Sequence, residues 1–199
     1  KTFALARQDE YEADRIAGKL LGREVTAAAL AEIEIRGAWL QAEFWGRHWC
    51  VAAGNPLPVG PYRSMRRYLA EAPDATFAND ALLQALKRLS SVDDTHPGLR
   101  DRIEALDATP TLPAWSRGSA LALLGGGARQ WVKYFDKQWC SNNATEWKQH
   151  HAWLERVRAR AEVLGTSMPQ NSAAELVELA RLKRHLDPHA DVRALYEHA

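Results

Sequence analysis

Residues 1–22, KTFALARQDEYEADRIAGKLLG, carry the clearest helical pattern of this chain. Apolar or alanine side chains recur there at positions 3, 4, 6, 13, 16, 17, 20 and 21. This spacing places them along one side of a helix, so the stretch predicts an amphipathic α-helix. Gly22 then predicts the end of that helix, because glycine adopts the left-handed backbone of a helix terminus without strain.

Helical patterns continue along the rest of the chain, and no segment alternates apolar and polar residues over the length of a strand. Thr26 and Ser172 are predicted to cap helices. Pro97 and Pro188 are predicted to lie in the first turn of two others, where proline fits best. We therefore predict an all-α fold, an irregular bundle of about eight to ten helices that ends in helical hairpins with weak repeat character.

Size and composition exclude several classes of protein. The chain has 199 residues, enough to bury a core, and its 46% hydrophobic content excludes a wholly disordered chain. Lys and Arg number 26 against 25 Asp and Glu, and this even balance gives no general reason to expect a nucleic-acid partner. No apolar run approaches the roughly 20 residues that a membrane-spanning helix needs.

The sequence starts without Met and without a signal-peptide pattern, inside a predicted helix. We therefore expect it to be an excised piece of a longer protein. The proline-rich segment TPTLP, at residues 109–113, is the clearest internal boundary, because residues that precede proline disfavour helix. It predicts two parts, residues 1–108 and residues 114–199.

Cysteine and tryptophan contents favour ordinary core packing. The two cysteines, Cys50 and Cys140, form no CxxC motif, which argues against a zinc site built only from local Cys and His. The eight tryptophans lie partly at helical spacings and indicate packing between helices. An aromatic groove for a ligand is the alternative.

Two carboxylates stand out in the first predicted helix. Glu10 and Asp14 are four residues apart, so they lie on one face of the helix and repel one another unless a cation lies beside them. Such a pair suits a metal ligand with a supporting carboxylate one turn away. The simpler alternative is a solvated acidic first turn, which the helix dipole favours.

The segment Glu10-Tyr-Glu-Ala-Asp14, followed by Ala17 and Leu20, resembles the ExxAD segment of metallopeptidase family 48, the HtpX and CAAX-prenyl-protease type. These are membrane-embedded zinc metallopeptidases. In that family an HExxH helix supplies two His ligands and the catalytic Glu. The resemblance implies that Glu10 is the third zinc ligand and that Asp14 orients a ligand His.

A second segment strengthens the resemblance. Asp94-Thr95-His96-Pro97, with Arg102-Ile103 shortly after it, is similar to the family's S/T-H-P segment and the R-I/L that follows. The resemblance implies that His96 donates to the developing oxyanion and that Arg102 is its supporting charge. Taken alone, the His-Pro dipeptide is equally typical of a polar helix start.

The HExxH motif itself does not occur in these 199 residues. The resemblance covers residues 7–107, and the region after residue 113 resembles, more loosely, a helical extension of some bacterial members. The implied function is a fragment of a membrane-bound zinc metalloendopeptidase that processes proteins or controls their quality. Zinc is expected in the full-length protein, whereas this chain alone is expected to bind none and to be inactive.

The resemblance also implies partners and a location. The expected partners are the rest of the peptidase, with its HExxH helix and membrane helices, and protein or peptide substrates. The expected location is the inner membrane, with this part on the cytoplasmic side. An isolated fragment would leave the Glu10 helix without its partner, so that helix is expected either to fray or to pack on a second copy in a homodimer. The alternative function is a non-catalytic helical module that binds proteins, which the tryptophan count and the repeat-like ending favour.

Overall fold

The computed structural model describes residues 3–91, 96–115 and 118–199. Every regular element within those ranges is helical, so the all-α prediction is confirmed. Asp94 and Thr95 of the second family-like segment lie outside the described residues. The α-helices are α1 (Phe3–Leu21), α2 (Arg23–Trp39), α3 (Trp45–Cys50), α4 (Tyr62–Tyr68), α5 (Ala75–Lys87), α6 (Leu99–Ala105), α7 (Ala128–Asn142), α8 (Ala144–Thr166), α9 (Ala173–Leu186) and α10 (Arg193–Glu197).

Shorter helical segments join several of these helices. A π-helical turn, Leu40–Phe44, continues α2 into α3, and 3₁₀ segments cover Val51–Gly54, Ala120–Gly127 and Met168–Gln170. In the part of the chain that the structure describes, no helix combines the length and the apolar character needed to cross a bilayer.

Packing divides the chain into two compact units that alternate along the sequence. The first unit comprises Lys1–Gln41 and Leu69–Ser119. The second comprises Ala42–Tyr68 and Ala120–Ala199. Residues 42–68 therefore pack with the C-terminal part of the chain.

The first unit is built around α2. Ala31 and Ile35 on this helix are fully buried, and α5 and α6 pack against them. Gly22 separates α1 from α2 with a φ of 99°, so the predicted helix end is correct and depends on glycine. The predicted Thr26 cap is wrong, because α2 begins directly after Gly22 and the Thr26 hydroxyl donates to the Gly22 carbonyl.

The second unit contains the hairpin of α8 and α9 and an aromatic cluster. Ser172 caps α9 in a full capping box with Glu175, as predicted. Trp147 is completely buried, and its indole N–H donates to the Asn55 carbonyl at 2.8 Å. The burial of Trp147 and its hydrogen bond to Asn55 hold the segment of residues 49–55 against helix α8.

Two predicted helix starts are wrong. Pro97 precedes α6, which begins at Leu99 after Gly98. Pro188 lies in a turn in which the Asp187 carboxylate accepts the His189 N–H at 2.9 Å, and α10 begins only at Arg193. In both places the backbone N–H after the proline donates to a side chain instead of to a helical carbonyl. Gly98 N–H donates to Ser90 Oγ, and His189 N–H donates to the Asp187 carboxylate.

Candidate functional site

The four residues singled out from the sequence lie together within the first unit. Helix α1 places Glu10 and Asp14 one turn apart, and Arg102 on α6 reaches both carboxylates. The Arg102 Nε and Nη2 each donate to one oxygen of Asp14, at 2.7 Å. The same Nη2 lies 3.1 Å from Glu10 Oε2. A single guanidinium therefore supplies the cation that the two carboxylates need.

Burial is graded across this Glu10–Asp14–Arg102 cluster. The side chain of Asp14 is 8% exposed, that of Arg102 19% and that of Glu10 28%. The hydrogen bonds with Asp14, and then the charges of Asp14 and Glu10, raise the pKa of Arg102 further above its ordinary value. Arg102 is thus a permanent cation, and its planar fork fixes the relative positions of both carboxylates.

His96 approaches the same cluster from the solvent side. Its Nδ1 lies 3.0 Å from Glu10 Oε1, and 69% of its side chain is exposed. Because a carboxylate only accepts hydrogen bonds, Nδ1 carries a proton in this pair. The outer edge of the ring remains accessible to a ligand.

A short set of hydrogen bonds fixes the turn that presents His96. The Gly98 N–H donates to Ser90 Oγ at 2.7 Å, and the Ser90 hydroxyl donates to the Asp101 carboxylate in the first turn of α6. A Cβ at Gly98 would lie 3.0 Å from the Arg88 carbonyl oxygen, so glycine is needed there for close approach. Neither Ser90 nor Gly98 was predicted from the sequence, although a Gly directly after His-Pro is a usable signal for a tight turn.

A second glycine lets α1 approach α6. Gly18 lies one turn after Asp14 and is buried, and a Cβ there would come within 3.0 Å of Leu106 Cδ2. Sequence reasoning missed Gly18 as well. Its position four residues after Asp14, inside a helical pattern, is the signal that could have identified it.

The cluster offers one accessible carboxylate, one exposed imidazole and a fixed cation. Among the described residues, no three His, Cys, Asp or Glu side chains are grouped closely enough to hold a metal ion. The arrangement can therefore orient Glu10 and His96 toward a common ligand, but these residues alone do not form a zinc centre.

Most of the tryptophans in the second unit have a structural role. Trp45, Trp49, Trp139 and Trp147 pack ring against ring with centroid separations of 5.3–6.3 Å. His48 lies among them, 5% exposed, and its Nε2 has no hydrogen-bond partner within the described part of the chain. Core packing, rather than a groove, accounts for these four rings.

Comparison with known protein families gives a match to one part of the chain. The family model described as Peptidase family M48 matches residues 2–110. No curated protein and no solved structure matches the chain. The matched range contains Glu10, Asp14, His96 and Arg102, and it ends before the helices α7 to α10.

Proposed function

This chain belongs to peptidase family M48, and we propose that it supplies part of the active site of a membrane-bound zinc metalloendopeptidase. In this proposal Glu10 is the third zinc ligand and Asp14 orients a ligand His. His96 is the donor to the developing oxyanion, and Arg102 supports it. The isolated chain is inactive, because HExxH is absent from residues 1–199.

One observation carries the proposal. Two sequence segments, 86 residues apart at Glu10 and His96, meet in a single cluster. A solvated acidic helix turn, the alternative for Glu10 and Asp14, gives no reason for a carboxylate that is 8% exposed and doubly hydrogen-bonded to an arginine. Such burial of charge is costly unless it is paired, and here Arg102 pairs it.

The residues present fit zinc only in part. Glu10 is a suitable oxygen ligand, but a zinc site needs three or four protein ligands, and the described residues provide no such group. Zinc, when bound in the complete protein, polarises a water or a carbonyl as a Lewis acid. The HExxH segment of the complete protein would supply the remaining ligands.

The chain's own residues have three tasks in this proposal. Arg102 holds the Glu10 carboxylate at a fixed position, which removes the entropy of ordering it when a ligand binds. Asp14 fixes Arg102 by accepting both of its hydrogen bonds. His96 donates its Nδ1 proton to Glu10, so donation to an oxyanion uses Nε2 and requires the ring to be the imidazolium, with its exposed edge facing solvent.

The organisation of the complete protein is also part of the proposal. Residues 1–108 would belong to the peptidase domain and residues 114–199 to its helical extension. The HExxH helix and the membrane helices would be the partners of this chain, and proteins or peptides its substrates. The inner membrane, with this part on the cytoplasmic side, is the proposed location.

Substitution in the full-length protein tests the proposal. Glu10→Gln keeps the size of the side chain but weakens a zinc ligand, so we expect peptide hydrolysis to fall by more than about 100-fold, with a loss of bound zinc. Glu12→Gln is the matched control, because Glu12 lies on the same helix and pairs with the exposed Arg15. Equal activity in the Glu10 and Glu12 variants would overturn the assignment and leave the non-catalytic interaction module as the better function.

A further inference from the structure

The second unit carries a surface that the proposed peptidase function does not use. It comprises the 3₁₀ segment Ala120–Gly127 and the helices α4 and α7, and we call it the α4–α7 surface. Five large apolar side chains are between 48% and 89% exposed on it: Leu123, Leu124, Trp131, Tyr134 and Phe135. This is an unusual amount of solvent-exposed aromatic and leucine surface for one short region.

The three aromatic residues form an ordered patch on α7. Trp131, Tyr134 and Phe135 follow the i, i+3, i+4 spacing of one helix face, and their ring centroids are 5.4–5.9 Å apart. Tyr62 at the start of α4 contacts Phe135 with a centroid separation of 6.0 Å. The patch therefore continues from α7 onto α4 through ring contacts.

The same two helices are strongly cationic. Helix α4 reads YRSMRRY and exposes Arg63, Arg66 and Arg67 without any acidic residue. Helix α7 exposes a further stripe of basic residues at four-residue spacing: Arg129, Lys133 and Lys137.

The single acidic residue of α7 does not offset these charges at the surface. Asp136 is only partly exposed, and its carboxylate accepts the Tyr62 N–H at 2.8 Å. Across the chain, basic residues outnumber acidic ones in the second unit, whereas acidic residues are in excess in the first. The summed positive charge of the α4–α7 surface therefore creates an electrostatic potential that attracts anions before they make direct contact.

We propose that the α4–α7 surface docks on an anionic lipid bilayer. Leucine and phenylalanine side chains gain free energy by entering the acyl region, while Trp and Tyr rings suit the boundary with the headgroups. Arginine and lysine side chains are attracted to anionic headgroups. A second copy of this chain is a poorer partner, because a symmetric contact through α7 would bring like charges together.

This proposal is independent of zinc and of Glu10, so it can be tested on the 199-residue chain itself. The probe is flotation with vesicles of phosphatidylcholine alone or of phosphatidylcholine mixed equally with phosphatidylglycerol. We expect binding to the mixed vesicles only, and weaker binding as salt is raised. The triple substitution Arg63→Gln, Arg66→Gln, Arg67→Gln should lower the partition coefficient by about 100-fold.

The apolar part is tested separately. Leu123→Ser with Trp131→Ser should lower the partition coefficient by at least about 10-fold, because both side chains are exposed in solution and buried in lipid. Leu89→Ser is its control, since Leu89 is 78% exposed in the first unit. The control for the triple arginine variant is a triple substitution of exposed basic residues elsewhere: Lys87→Gln, Arg100→Gln, Lys148→Gln. Neither this variant nor Leu89→Ser should change binding to the vesicles.

Depth of insertion gives an independent readout. Brominated lipids should quench part of the tryptophan fluorescence of the bound chain, and Trp131→Phe should remove that part while binding persists. Any of three results would overturn the proposal: no binding to the mixed vesicles, equal binding of the surface variants and the wild type, or self-association in solution that the Leu123/Trp131 variant abolishes. The last result would identify a second copy as the occupant.

Discussion

The strength of the Asp14–Arg102 pair can be predicted from its geometry. Removing one member of a fully buried ion pair costs about 3–5 kcal/mol. Asp14 is 8% exposed, but Arg102 is 19% exposed and also has Glu10 Oε2 at 3.1 Å as a second partner. We therefore expect Asp14→Asn to lower the free energy of unfolding by about 2–3 kcal/mol, below that full cost.

A double-mutant cycle separates the pair from its surroundings. Urea unfolding of the wild type, Asp14→Asn, Arg102→Met and the double variant should give a coupling free energy of about 2 kcal/mol. The matched cycle uses Glu12 and Arg15, a hydrogen-bonded pair on the same helix whose side chains are 49% and 51% exposed. That cycle should show no measurable coupling. Equal coupling in the two cycles would refute the argument that burial makes the Asp14–Arg102 pair strong.

Three further predictions concern packing, pH and metal. Gly18→Ala should destabilise the chain by about 1–2 kcal/mol in thermal melts, because the added Cβ would lie 3.0 Å from Leu106 Cδ2. Gly37→Ala is the control: it has open space around it and should stabilise the chain by up to about 1 kcal/mol. Burial lowers the pKa of His48 from its ordinary 6.5, so the unfolded chain binds more protons than the folded chain near that pH, and the free energy of unfolding should fall as the pH is lowered below 6.5. His48→Asn should flatten this dependence in urea titrations at each pH, and an unchanged slope would assign the loss to other groups. Zinc titration of the isolated chain by calorimetry should show no tight site, and stoichiometric tight binding would contradict the single-ligand assignment.

Local sequence rules succeeded where a single residue type controls the backbone. Gly22 was predicted as a helix end because few other residues adopt its φ of 99°. Ser172 was predicted as a cap, and Glu175 completes the capping box three residues later. The prediction that Thr26 caps α2 is wrong, because a hydroxyl near a helix start can either cap the helix or donate to a preceding carbonyl. Here the Thr26 hydroxyl donates to the Gly22 carbonyl.

Local spacing predicted the site up to the shared face of Glu10 and Asp14, and the family resemblance added His96 and Arg102. The four-residue spacing of the two carboxylates required a nearby cation, but local sequence does not say which one. Arg102 is 88 residues from Asp14, and the contact depends on how closely α1 and α6 approach, which the small size of Gly18 permits. Packing between distant segments also explains why the grouping of residues 42–68 with α7 to α10 could not be read from the chain.

That grouping has an evolutionary consequence. The family-matching segment, residues 2–110, includes residues 42–68, and their buried side chains complete their packing with residues after 119. Trp147, which covers Ala52 and Trp49, belongs to the region that the family match does not reach. Gene fusion and exchange join modules cleanly only where few contacts cross the junction. Loss or exchange of the region after residue 119 would therefore expose buried side chains of residues 42–68, and substitutions around Ala52 are expected to be accepted only together with compensating changes in α8.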